Sequence, residues 1–149
     1  MENFSFTPIS TNTIVEHGQY LFYDRSNDVR AMLREEGLPT DAVDFVLENN
    51  SNGTRYGYHN NQHIFDVALK TRDLARAEQV DDTIHVHAVI LAALFHDIGY
   101  QAGEHPDSEN IKKAIELWEE YVFEQHEKYV HQQYNDVLRY LVREYIKVT

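Results

Sequence analysis

The chain has no cysteine, which excludes disulfide staples and every zinc site built on thiolates. Its three prolines and six glycines are scattered, so no Pro- or Gly-rich linker separates one part from another. Repeats and low-complexity tracts are likewise missing. The apolar runs stop well short of the roughly 20 residues that span a membrane. The opening residues, Met1-Glu-Asn-Phe-Ser5, lack the basic start of a signal peptide. Together these absences lead us to expect one cytoplasmic domain over residues 1–149. Positive charge is also scarce: 13 Lys and Arg against 25 Asp and Glu leave a net charge of −12. So acidic a surface argues against binding nucleic acid or an anionic membrane. An anionic substrate would need a local cation, and a bound metal would supply one.

What is present suits a globular fold. The hydrophobic fraction is 42%, and 149 residues can bury a real core. Residues 1–12 are polar with Pro8 and read as an irregular arm. A helix is expected from Ile14 or Gln19 to Glu36, interrupted by Gly18 and the Asp24–Asn27 cluster, and stopped by Gly37-Leu-Pro39. Thr40 should cap a second helix carrying Ala42, Val43, Phe45, Val46 and Leu47, which the cluster Asn49–Gly53 ends. A third starts at Asn60 or Asn61, and a fourth follows Asp81-Asp82-Thr83. Asp107 or Ser108 opens a fifth, with a stripe of Ile111, Ala114, Ile115, Trp118, Tyr121 and Val122. The last carries Val130, Tyr134, Val137, Leu138, Leu141, Tyr145 and Ile146. Five or six helices and no strand predict a single-domain all-α bundle.

Two stretches carry chemistry. Leu91-Ala-Ala-Leu-Phe-His-Asp-Ile-Gly-Tyr100 reads as a buried helix ending on His96 and Asp97, with Gly99 as the break. Imidazole and carboxylate both ligate divalent zinc, iron, manganese or nickel. About thirty residues earlier, His59 and His63 stand four apart, a spacing that shares one helix face. They are either incidental residues of a solvated helix start or a first ligand, His63, with His59 at the mouth of a site. His85 and His87 lie several turns before His96 and read as ordinary polar positions. His105 precedes a helix start and is either a loop residue or a contact to an anion. His126 and His131 read as surface.

The order Tyr58-His59-Asn60, His63, Asp66-Val67 and then Ala92-Ala-Leu-Phe-His96-Asp97-Ile98-Gly99 resembles the HD superfamily of metal-dependent phosphohydrolases. The first block is similar to the opening motif of eukaryotic cyclic-nucleotide phosphodiesterases. The length and His105-Pro-Asp-Ser108 look more like small bacterial HD phosphohydrolases. The resemblance implies an HD-type bundle and hydrolysis of a small phosphate ester or nucleotide. It implies one divalent ion (Mn, Fe, Ni, Zn, Co or Mg) held by His63, His96 and Asp97. By the same resemblance His59 is the general acid, and Arg55, Tyr100 and His105 line the substrate side. Two other outcomes stay open: a non-catalytic regulatory or ligand-binding module, and a di-iron oxygenase that draws on further histidines. Self-association is also open. The family's last ligand is an aspartate from a late helix. Leu141–Thr149 resembles the segment leading up to it, so either that aspartate lies beyond Thr149 or this form is expected to bind metal weakly, with Asp136 as the fallback.

Overall fold

The computed structural model describes residues 14–17, 20–50, 60–99, 107–128 and 134–149, with side chains from residue 24 onward except those of 107 and 126–128. Six helices appear among them: α1 (Ser26–Glu35), α2 (Asp41–Asn49), α3 (Asn61–Ala77), α4 (Thr83–Phe95), α5 (Asp107–Lys128) and α6 (Asp136–Lys147). The all-α class holds, with one addition. A short antiparallel hairpin, β1 (Ile14–His17) and β2 (Tyr20–Tyr23), precedes α1, with Ile14 opposite Tyr23 and His17 opposite Tyr20. The helix expected from Ile14 or Gln19 therefore begins only at Ser26. The register pairs β-branched Ile14 with Tyr23 and Val15 with Phe22, residue types that favour strands. A Gly-led pair, Gly18-Gln19, between the two runs is a hairpin signal that apolar spacing alone does not reveal.

Helix α4 is the centre of the bundle. From Ile84 to Gly99 no residue is exposed, as expected of a helix that is apolar all round. α3 packs along one flank and α6 along another, with α5 closing against α4 and α6. Small residues, Ala68 and Ala75 on α3 and Ala88 and Ala92 on α4, are all buried in the same core. The start of α4 is also tied outward by two histidines. His85 Nδ1 meets the Tyr145 hydroxyl of α6 at 2.6 Å, and His87 Nε2 lies 3.7 Å from Glu36 at the end of α1. Glu36, whose side chain is only 4% exposed, also pairs with Arg76 and with Arg72 (3.7 Å) of α3. Burial lowers the His87 pKa against the opposing pull of Glu36.

An aromatic cluster fills the end of the bundle that α4 runs towards. Phe95 stacks edge-on to Trp118 with ring centroids 5.1 Å apart, and Trp118 meets Tyr134 at 5.4 Å. Such pairs add about 0.5–1.5 kcal/mol beyond the area they bury. The Tyr121 hydroxyl donates to Asp41 Oδ1 at 2.7 Å, so at the 2.8 Å contact between the two tyrosines Tyr134 is the donor. Gln125 Nε2 donates to the other Asp41 oxygen. Burial pushes both phenols well above their ordinary range. Asp41 is thus engaged by α5 at the start of α2, whereas the hydroxyl of Thr40, in the cap position, makes no capping bond.

On α6 the buried stripe is Leu138, Val142 and Ile146. Of the expected face, Tyr134, Leu138 and Ile146 are buried and Leu141 and Tyr145 pack partly against the core; Val137 is exposed, and Val142 is buried in addition. Val137 competes with Leu138 for the same stripe, and the tie is broken by packing against α4. Val130 lies outside the described residues.

Two helix ends require a left-handed residue. Gly37 (φ 76°) ends α1, where Leu38 N–H reaches back to Leu33 O at 2.8 Å. α3 closes the same way through Gln79 (φ 57°), with Val80 N–H donating to Ala75 O at 3.1 Å. A side chain in this region costs roughly 1–2 kcal/mol, part of which glycine returns as chain entropy when unfolded. Gln79→Gly is therefore expected to stabilise the exposed turn by about 0.5–1 kcal/mol. Chemical denaturation would read this as a higher midpoint at unchanged slope, and a lower midpoint would refute it.

Candidate metal centre

Three side chains from two neighbouring elements converge where α3 begins and α4 ends. α3 starts at Asn61 because Asn60, in extended backbone, accepts the His63 N–H on its side-chain oxygen at 3.0 Å. That cap leaves His63 on the first turn. His96 is the C-cap of α4, its N–H still bonded to Ala92 O at 2.8 Å, and Asp97 follows it. The chain then turns away through Gly99 (φ 72°), where an added Cβ would stand 3.4 Å from Leu117 on α5.

Asp97 Oδ2 lies 3.1 Å from His63 Nε2 and 3.2 Å from His96 Nε2, and one ligand atom from each residue lies within 4.8 Å of the others. The rings of His63 and His96 face each other at 64°, with centroids 6.1 Å apart. Their side chains are 15% and 16% exposed, and that of Asp97 is 11% exposed. Two ligands at about 2.0–2.2 Å from one ion, set at right angles, would stand about 3 Å apart, which is the separation seen here.

Protonation supports the same fit. His96 Nδ1 lies 2.8 Å from Ala93 O, and a carbonyl only accepts, so Nδ1 carries a proton and Nε2 faces Asp97. An Nδ1–H bonded to the backbone is the usual way a ligating imidazole is held in its tautomer. Burial lowers the His96 pKa, but Asp97 and Ala93 outweigh it, and the net shift is upward. Nε2 therefore faces the carboxylate, and a divalent ion would stand between the two. Two imidazoles and one carboxylate, with no thiolate, suit Zn, Fe, Ni, Co or Mn better than Mg.

One turn further along α3, Asp66 accepts from Arg25 at 3.3 Å, and Arg25 also pairs with Asp28 at 2.7 Å. Burial raises the Asp66 pKa, while Arg25, Lys70 and His63 pull it down. Arg25 thus fastens the start of α1 beside the helix that carries His63.

Asp136 is not among these ligands. Its side chain is 91% exposed at the start of α6, where it lies 3.9 Å from Arg139. Asp136 and buried Leu138 are two residues apart, about 200° around a helix, so they face opposite ways. His59, Arg55, Tyr100 and His105 lie outside the described residues, as do the side chains of His126 and His131.

The HD-domain profile matches residues 61–146, more than half of the chain, and includes all three converging residues. This chain belongs to the HD-domain family. No curated protein and no solved structure matches it. Among the described residues, no helix of this HD domain is long and apolar enough to cross a membrane. His63, His96 and Asp97 are also the only cluster of three or more His, Asp or Glu side chains there with metal-ligating geometry.

Proposed function

We propose that this HD domain is a metal-dependent phosphohydrolase acting on a small phosphate ester or nucleotide. The observation that carries the reading is the single Asp97 oxygen placed about equally from His63 Nε2 and His96 Nε2. When bound, a divalent ion would make water nucleophilic near neutral pH and offset charge on phosphoryl oxygens. Three protein ligands leave coordination positions open, as catalytic sites require. Asp97 contributes the one negative charge of the set, and Ala93 O keeps the His96 ring from turning. His59 is proposed to donate a proton to the departing alkoxide, a task suited to an imidazole with a pKa of about 6.5. Arg55 is proposed to pair with the phosphate through its planar fork of donors. Tyr100 and His105 would border the substrate.

The test is elemental analysis of the purified chain together with a phosphate-release screen over nucleotides and sugar phosphates. One divalent ion per chain, with release that stops on chelation and returns on adding the metal, is expected. Phosphate release unaffected by chelation, or two irons per chain, would reject the proposal.

A further inference from the structure

Asn50 is the C-cap of α2, and only 6% of it is exposed. Its carbonyl accepts the Gly99 N–H at 3.3 Å, and its NH₂ donates to Asn61 Oδ1 at 2.8 Å. The orientation of the amide is not free: Gly99 N–H can only donate, so the oxygen must face it and the nitrogen must face Asn61. Gly99 stands two residues after Asp97, and Asn61 two residues before His63. One buried side chain therefore bridges the two segments that supply the candidate ligands, although it touches none of them by these bonds. Those segments have no covalent link shorter than the whole α3–α4 hairpin, and α3 reaches the site with its first turn, the part of a helix most prone to fray. Asn60 holds that turn from within, through the His63 N–H. Asn50 holds it from outside, against the turn that follows Asp97.

We infer that Asn50 is a positioning residue of the metal centre, setting the distance between His63 and the His96–Asp97 pair. This rests on the proposed divalent site. A looser clamp leaves each ligand intact and widens the spread of positions they sample, so it weakens the ion more than the fold. Groups that orient ligands from behind typically change metal affinity by about 10–100-fold when removed.

The experiment is Mn²⁺ titration calorimetry on the full chain, with thermal midpoints of the metal-free proteins, for the parent, Asn50→Ala, Asn50→Asp and Asn61→Ala. Asn50→Ala is expected to weaken Mn²⁺ binding by roughly 10–100-fold. Asn50→Asp keeps an acceptor for Gly99 and lets the Asn61 amide turn to donate, so it should recover most of that loss. Asn61→Ala should fall between them, and it carries the test if Asn50→Ala does not fold. A lower midpoint with Mn²⁺ affinity within about twofold of the parent would overturn the inference, since a purely structural asparagine behaves that way. If the parent binds neither Mn²⁺ nor any of Zn²⁺, Fe²⁺, Co²⁺, Ni²⁺ and Mg²⁺, the proposed function falls. The His63 and His96 ring resonances of the metal-free proteins then decide: shifted in the alanine variants and restored in Asn50→Asp they support the inference, and unmoved they overturn it.

Discussion

Asp97→Ala is expected to strip the divalent ion from the chain and reduce phosphate release to background. Asp97 supplies the only carboxylate in the cluster, and its Oδ2 is the atom nearest to both imidazole nitrogens. Without it two neutral rings remain at one point, with nothing to balance a dication. Loss of a direct ligand should exceed the 10–100-fold typical of a supporting group. The ion's share of the rate is worth several kcal/mol, so turnover should fall by about 10³-fold or more. The fold should survive, because the variant removes a desolvated charge and leaves the packing around Ile98 and Phe95 in place. Metal per chain by elemental analysis, with circular dichroism as the control, measures this. A folded Asp97→Ala chain that still holds one ion would show that the cluster is not the site.

His59→Ala should leave the ion in place and lower turnover by about 10²–10⁴-fold, the usual range for losing a general acid. The pH profile gives the sign. An acid must be protonated to act, so the parent's rate should fall as pH rises and His59 loses its proton. That alkaline limb should disappear in His59→Ala while metal content stays at one per chain. Loss of metal in this variant would make His59 a ligand and remove it from the acid role. An unchanged limb would assign the proton to another group.

Particular residues show why much of the bundle was legible beforehand. Asp82 caps α4 through Ile84 N–H at 3.2 Å and Asn60 caps α3, and both are short polar residues standing just before stretches of helical apolar spacing. The run from Ile84 to Phe95 has no polar face to misplace, so its burial followed from composition. The hairpin was not legible because four-residue strands rich in Ile, Val, Tyr and Phe fit helical spacing equally well. At the site, the adjacency of His96 and Asp97 and a preceding histidine were visible as local patterns. Asn50 was not. It sits in a run of asparagines and serine that reads as a turn, and the signal for its burial is the arrival of Asn61 and Gly99, which depends on how α3 and α4 pack. Glu36 was hidden for the same reason: its partners Arg72, Arg76 and His87 lie 36, 40 and 51 residues away in the chain.

The dense packing around α4 also bears on how the centre can change with time. Backbone amides in a densely packed helix should exchange slowly, and that includes His96 N–H, still bonded to Ala92 O. The His96–Asp97 half of the cluster thus inherits a slow clock. His63 sits on a first turn and inherits a much faster one. An ion arriving at such a centre meets a standing half and a half that must be caught. Its departure should be governed by excursions of the α3 start, at rates set by that turn's stability and not by the stability of the core.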